Sequence, residues 1–147
     1  MKKSVLLGMF VVAFLLLMVF PQSEVHARPS AKAQVDKQTV EVYYFHRNRR
    51  CGPCRTIENL TKKTMETYFT SELESGEVAF FIVNVEQEDG RPIAQKFNVM
   101  STALFLNCIN GEEEKATNLT SLAYRHVRNE EAFLSNLKQM IEEELGR

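Results

Sequence analysis

Nothing in this chain is in large excess, and its scarcities narrow what it can be. Neither sign of charge prevails: 18 Lys and Arg side chains stand against 19 Asp and Glu. That balance gives no ground for a nucleic acid partner, which calls for a basic surface. Proline occurs only at Pro21, Pro29, Pro53 and Pro92, so no proline is available to any element beyond residue 92. The three cysteines, Cys51, Cys54 and Cys108, are an odd number, so one thiol is left over whichever two pair. There is no internal repeat and no low-complexity segment. A length of 147 residues then fits one domain with additions.

The first addition is at the start. Val5 to Phe20 holds no charged residue, Lys2 and Lys3 precede it, and Val25-His26-Ala27 offers small residues at cleavage-site positions. Residues 1–27 therefore read as a secretory signal cut after Ala27. No cysteine follows the apolar run to take a lipid. The alternative is an uncleaved membrane anchor, although 16 apolar residues are short for a span of about 20. Either way the domain is expected outside the cytoplasm, periplasmic or secreted, where thiols can be oxidised. Cleavage leaves 16 basic and 18 acidic side chains, a balance of −2. Residues 28–37 are polar, contain Pro29, show no period and read as a linker. The domain is expected over residues 38–147.

Within it, Thr39 to His46 has the alternation of a strand. Ile57, Leu60, Met65, Tyr68, Phe69 and Leu73 keep helical spacing until Ser75-Gly76. Val78 to Val85 is almost continuously apolar, the pattern of a buried parallel strand. A short helix over Pro92 to Phe97 follows, then a third strand over Ala103 to Ile109. Asn110-Gly111 marks a hairpin turn, and a polar edge strand runs from about Glu113 to Asn118. Thr120 to Val127 suits a helical turn. Asn129 caps a last helix that carries Phe133, Leu134, Leu137, Met140, Ile141 and Leu145 on one face.

The chemistry gathers at Tyr43-Tyr44-Phe45-His46-Arg47-Asn48-Arg49-Arg50-Cys51-Gly52-Pro53-Cys54-Arg55. A strand ends in a basic loop that delivers Cys51 to the first turn of a helix. Cysteines three apart on such a turn have Cα atoms roughly 5 to 6 Å apart, inside the disulfide window. The helix dipole favours a thiolate at Cys51. Pro53 fits because first-turn amides have no intrahelical partner to lose. From Arg47 to Lys63 there are six basic residues and one acid, Glu58.

Strand, loop, Cys51-Gly52-Pro53-Cys54 and amphipathic helix, with this order of elements downstream, resemble the thioredoxin superfamily over residues 38 to 145. Tyr43 to His46, the basic loop and the polar Asn84 late in the second strand also resemble a set of secreted bacterial thioredoxin-like proteins. The resemblance implies an α/β fold of three layers, with a mixed four-stranded sheet and helices on both faces. It implies a thiol-disulfide oxidoreductase with a Cys51–Cys54 disulfide, Cys51 as nucleophile and Cys54 as resolving thiol. Gly52 and Pro53 complete the motif, and Arg50 stands beside it. No cofactor or metal is expected. Expected partners are a protein or small-molecule thiol or disulfide, and a membrane or soluble redox partner, acting on a monomer.

Two departures stand out. No Asp or Glu occurs from Val42 to Cys51, so the acid that assists the deeper cysteine in the family is missing from the strand. His46 is the upstream candidate to carry a proton in its place. The family's cis-proline is also missing: Thr102 and Ala103 fall at that position, where a trans bond is expected. Two alternatives follow. Cys51, Cys54 and His46 would be a partial soft-metal site, or the bridge would be inert in a binding module. Cys108 reads as a small core residue, the alternative being a third redox thiol. On the signal reading, N-terminal sequencing of native protein should find a start near Arg28. An intact Met1 in a cytoplasmic fraction would overturn both the signal and the compartment.

Overall fold

The computed structural model describes residues 38–147; the expected signal and linker lie outside the described residues. Strand β1 (Thr39–His46) leads to helix α1 (Gly52–Tyr68), short helix α2 (Thr70–Ser75) and strand β2 (Val78–Asn84). Helix α3 (Gly90–Lys96), strands β3 (Ala103–Asn110) and β4 (Glu113–Asn118), and helices α4 (Thr120–His126) and α5 (Glu130–Glu144) complete it. The strand order is β2-β1-β3-β4, with β1 and β2 parallel and β1–β3 and β3–β4 antiparallel. The fold is α/β and thioredoxin-like, with a mixed sheet between helices. Among the described residues no helix is long and apolar enough to cross a membrane.

Side chains alternate across a strand, so β1 serves two cores. Val40, Val42 and Tyr44 face the larger one, with Ile57, Leu60 and Met65 of α1 and Phe133, Leu137 and Ile141 of α5. Tyr43 and Phe45 face the smaller one, with Ala94 of α3, Phe97 and Phe105. Phe97 sits in an aromatic cluster, 4.8 Å from the Tyr43 ring centroid and 5.4 Å from that of Phe105. Helix α3 begins at Gly90, two residues before Pro92, because its first turn packs on the end of β2. A Cβ added at Gly90 would lie 2.0 Å from the Asn84 carbonyl oxygen, so only glycine fits. The hairpin turns at Gly111, with φ 63°, and Asn129 caps α5 by accepting the Ala132 N–H at 3.1 Å.

Two features differ from the sequence reading. The helix expected to run to Gly76 breaks at Phe69, where φ is −128° and ψ 24°. The break coincides with the Phe69 ring entering the core, while Tyr68 turns outward beneath Lys138. Strand β2 is parallel, as expected, but lies at the edge of the sheet. Phe81 and Ile82 are therefore 39% and 40% exposed, since no described strand pairs with the outer side of β2.

These burial differences set an expected stability contrast. Leu137→Ala, at a fully buried site, should cost about 2–5 kcal/mol. Ile82→Ala should cost about 1 kcal/mol or less. Urea unfolding of the oxidised protein measures both. Equal losses would mean that β2 is covered in solution.

Candidate active site

Cys51 ends the loop after β1 and is the N-cap of α1, with φ −73° and ψ 165°. Its sulfur accepts the Cys54 backbone N–H at 3.0 Å. A cap of this kind is usually an oxygen. A thiolate in the same place takes that N–H as a charge-assisted bond and meets the positive end of the helix. Gly52 and Pro53 form the first turn, where the missing proline N–H removes no helical bond. The Cα atoms of Cys51 and Cys54 are 5.0 Å apart and the two sulfurs are bonded. Cys51 is exposed and Cys54 is buried.

Beneath the motif, Tyr44 of β1 donates its hydroxyl to the Cys54 carbonyl at 2.7 Å. Burial, then the negative charge of Glu58, push the Tyr44 hydroxyl up to about 12, so it remains a donor across neutral pH. Thr102 stands beside this tyrosine, its side chain slightly offsetting the upward push on the hydroxyl. Ala103 is buried in the smaller core on the other face, and no peptide bond among the described residues is cis.

The upstream strand carries no acid, but α1 does. Cys54, Ile57, Glu58, Thr61 and Met65 lie on one buried stripe, and Glu58 is 7% exposed. Arg50 pairs with one of its oxygens and Lys62 with the other, the latter at 2.7 Å. A second Arg50 nitrogen lies 2.7 Å from His46 Nε2. Arginine can only donate, so Nε2 is the acceptor and Nδ1 carries the hydrogen given to the Arg47 carbonyl at 3.0 Å. Both ring nitrogens of His46 are thus engaged in hydrogen bonds. Among the described residues no three His, Cys, Asp or Glu side chains converge on one point. Arg50 serves Glu58 and His46 rather than standing free beside Cys51.

The rest of the basic loop is tied down in a similar way. Arg47 Nη2 lies 2.7 Å from Glu86 Oε1, and the same carboxylate accepts the Asn48 N–H at 2.7 Å. Asn84, the polar break in β2, donates to the Asn48 side chain at 2.8 Å. Arg49 and Arg55 have no acidic partner among the described residues. Cys108 is buried in β3 opposite Val40. Ala103, at the motif end of that strand, pairs with Phe45. Cys108 is five positions along the strand from Ala103, roughly 17 Å, so Cys108 is remote from the pair.

Sequence reading passed over Glu58, Tyr44 and Tyr124. Glu58 carried a usable signal, since it falls four residues after Cys54 on the buried stripe. Tyr124 of α4 carried none. Its hydroxyl lies 3.7 Å from Cys54 Sγ across 70 residues of sequence.

No protein-family model matches the chain, and no curated protein matches it. Among solved structures, the chain is similar to a thioredoxin from Thermus thermophilus at 16% identity, covering 69% of this chain and 73% of that one, with a TM-score of 0.45. It is similar to a Schistosoma mansoni thioredoxin pre-protein at 23% identity, covering 73% and 80%, with a TM-score of 0.43. A third similar structure is thioredoxin O2 from Arabidopsis thaliana, at 21% identity, covering 62% and 75%, with a TM-score of 0.38. On its own topology and its CxxC disulfide, this chain is a thioredoxin-like domain with a Cys51–Cys54 bridge at the start of a helix.

One pH dependence follows from the loop. The Glu86 carboxyl is held below its ordinary value of 4.5, first by the Asn48 N–H and then by Arg47. A depressed folded pKa means that the tie is present above the unfolded pKa and is lost as pH falls through the folded one. The Asn48 amide resonance should therefore titrate with a midpoint below the ordinary Glu value. A midpoint at or above that value would show that the loop is not held by Glu86.

Proposed function

We propose that the protein is a thiol-disulfide oxidoreductase acting outside the cytoplasm through Cys51 and Cys54. The observation that carries this reading is the placement of the pair. An exposed sulfur caps a helix, and its partner is buried one turn deeper. The leader-like residues 1–27 support the compartment, where such a bridge can form and persist.

In the reductive direction the Cys51 thiolate attacks one sulfur of a substrate disulfide. A Cys51 mixed disulfide forms, and the other substrate sulfur leaves as a thiolate that takes a proton from water. Cys54, deprotonated, then attacks the Cys51 sulfur. The Cys51–Cys54 bond forms, the bond to substrate breaks, and the second substrate thiol is released. Two electrons have passed from the cysteine pair to the substrate. The same steps reversed oxidise a dithiol. The substrate class is a protein or small-molecule thiol or disulfide able to reach Cys51, and a membrane or soluble redox partner resets the pair.

Cys54→Ser should trap a mixed disulfide through Cys51, and Cys51→Ser should trap nothing, as judged by non-reducing electrophoresis and mass spectrometry. Trapping through Cys54 would reverse the roles. A bridge that resists dithiothreitol until the protein unfolds would show an inert structural disulfide.

A further inference from the structure

Burial raises the pKa of a thiol, because the thiolate loses hydration. Cys54 is 6% exposed, and it has to ionise to close the bridge. Polar groups around it are mostly committed elsewhere. The Tyr44 hydroxyl goes to the Cys54 carbonyl, not to its sulfur. The Glu58 carboxylate is divided between Arg50 and Lys62. Both His46 nitrogens are occupied. Of the described residues, Tyr124 is the one whose side chain offers the Cys54 sulfur a hydrogen bond, at 3.7 Å. In the disulfide that sulfur has no hydrogen, so the tyrosine is the donor.

The helix that carries Tyr124 is also held in place. Helix α4 is anchored to the start of β3 by the Leu119 N–H on the Leu104 carbonyl at 2.8 Å, and by the Leu104 N–H on Thr120 Oγ1 at 3.1 Å. Ala123 beside it is fully buried. Tyr124 itself is 40% exposed and reaches the sulfur from this anchored helix; a thiolate is a stronger acceptor than a disulfide sulfur.

We propose that the Tyr124 hydroxyl is a catalytic hydrogen-bond donor to Cys54, stabilising its thiolate in the step that resolves the mixed disulfide. It does so where the upstream strand supplies no acid. The proposal rests on the redox role of the cysteine pair. The proton leaves Cys54 for water and the electron pair moves to the Cys51 sulfur. Tyr124 keeps its own proton and shares it with the sulfur.

The test begins without a substrate. In a Cys51→Ser background Cys54 is titrated by thiolate absorbance, with Tyr124 present or replaced by Phe. Loss of one hydrogen bond to a charged sulfur should reduce Cys54 ionisation roughly three- to tenfold, which is about half a pKa unit to one unit upward. In the protein with both cysteines, Tyr124→Phe should leave formation of the mixed disulfide unchanged. It should slow its resolution near neutral pH by a smaller factor, roughly two- to threefold, because the thiolate of higher pKa is the better nucleophile, and the difference should vanish or reverse in alkali. An unchanged Cys54 titration would overturn the proposal. So would a Tyr124→Ala variant that is impaired while Tyr124→Phe is not, since the ring would then matter only for packing. If the unmutated protein exchanges no disulfide at all, the oxidoreductase reading fails, while the titration still decides whether Tyr124 acts on Cys54.

Discussion

The carboxylate of Glu58 is the constraint from which the site is built. Helix α1 turns this acid toward the protein, leaving 10% of its side chain exposed. Left alone there, the charge would be costly. Arg50 and Lys62 compensate it, one on each oxygen. To do so Arg50 has to fold back over α1, and from there it also meets His46 at the end of β1. Strand end, loop and helix become one polar unit. Cys51 is the next residue in the chain, so the arrangement that neutralises Glu58 also fixes where the exposed sulfur stands.

That neutralisation changes the electrostatics that composition suggests. Six cations against one acid promise a strongly positive field at Cys51. In the fold Arg47 is matched by Glu86, Arg50 and Lys62 by Glu58, and Lys63 by Glu130. Arg49 and Arg55 are left. Exposed cations act weakly through water and salt, whereas the Cys54 N–H touches the Cys51 sulfur at 3.0 Å. For the proposed role of Cys51, its place as a helix cap therefore weighs more than its basic neighbours.

How much of this was legible depended on the range of each interaction. β1 was readable from its alternation, β3 and β4 from Asn110-Gly111, and α5 from Asn129 and its apolar stripe, because each signal is local. The edge position of β2 was not readable. An apolar run records what a strand would bury, not whether a neighbour is present to bury it, and Phe81 and Ile82 lie half open as a result. The break at Phe69 was hidden because a single ring turning inward leaves the spacing of its neighbours helical. The paired cysteines were plain, but their surroundings come from β1, α1 and α4. Only Glu58, on the same helical stripe as Cys54, was within reach of pattern reading.

The two sulfurs face different physical problems, and the fold treats them differently. Cys51 is exposed, and a thiolate there would meet one backbone N–H and the positive end of the helix. Cys54 is buried, and four residues along the same helix face lies Glu58, close enough for side chains to interact. A carboxylate placed near Cys54 to take its proton would add a second buried negative charge beside the first, each raising the cost of the other. A hydroxyl avoids that conflict, because it offers a donor without adding charge. The buried acid on α1 and the absence of one on β1 are then two sides of the same electrostatic limit: with Glu58 compensated by Arg50 and Lys62, a neutral group such as Tyr124 is the kind of partner the deeper sulfur can accept.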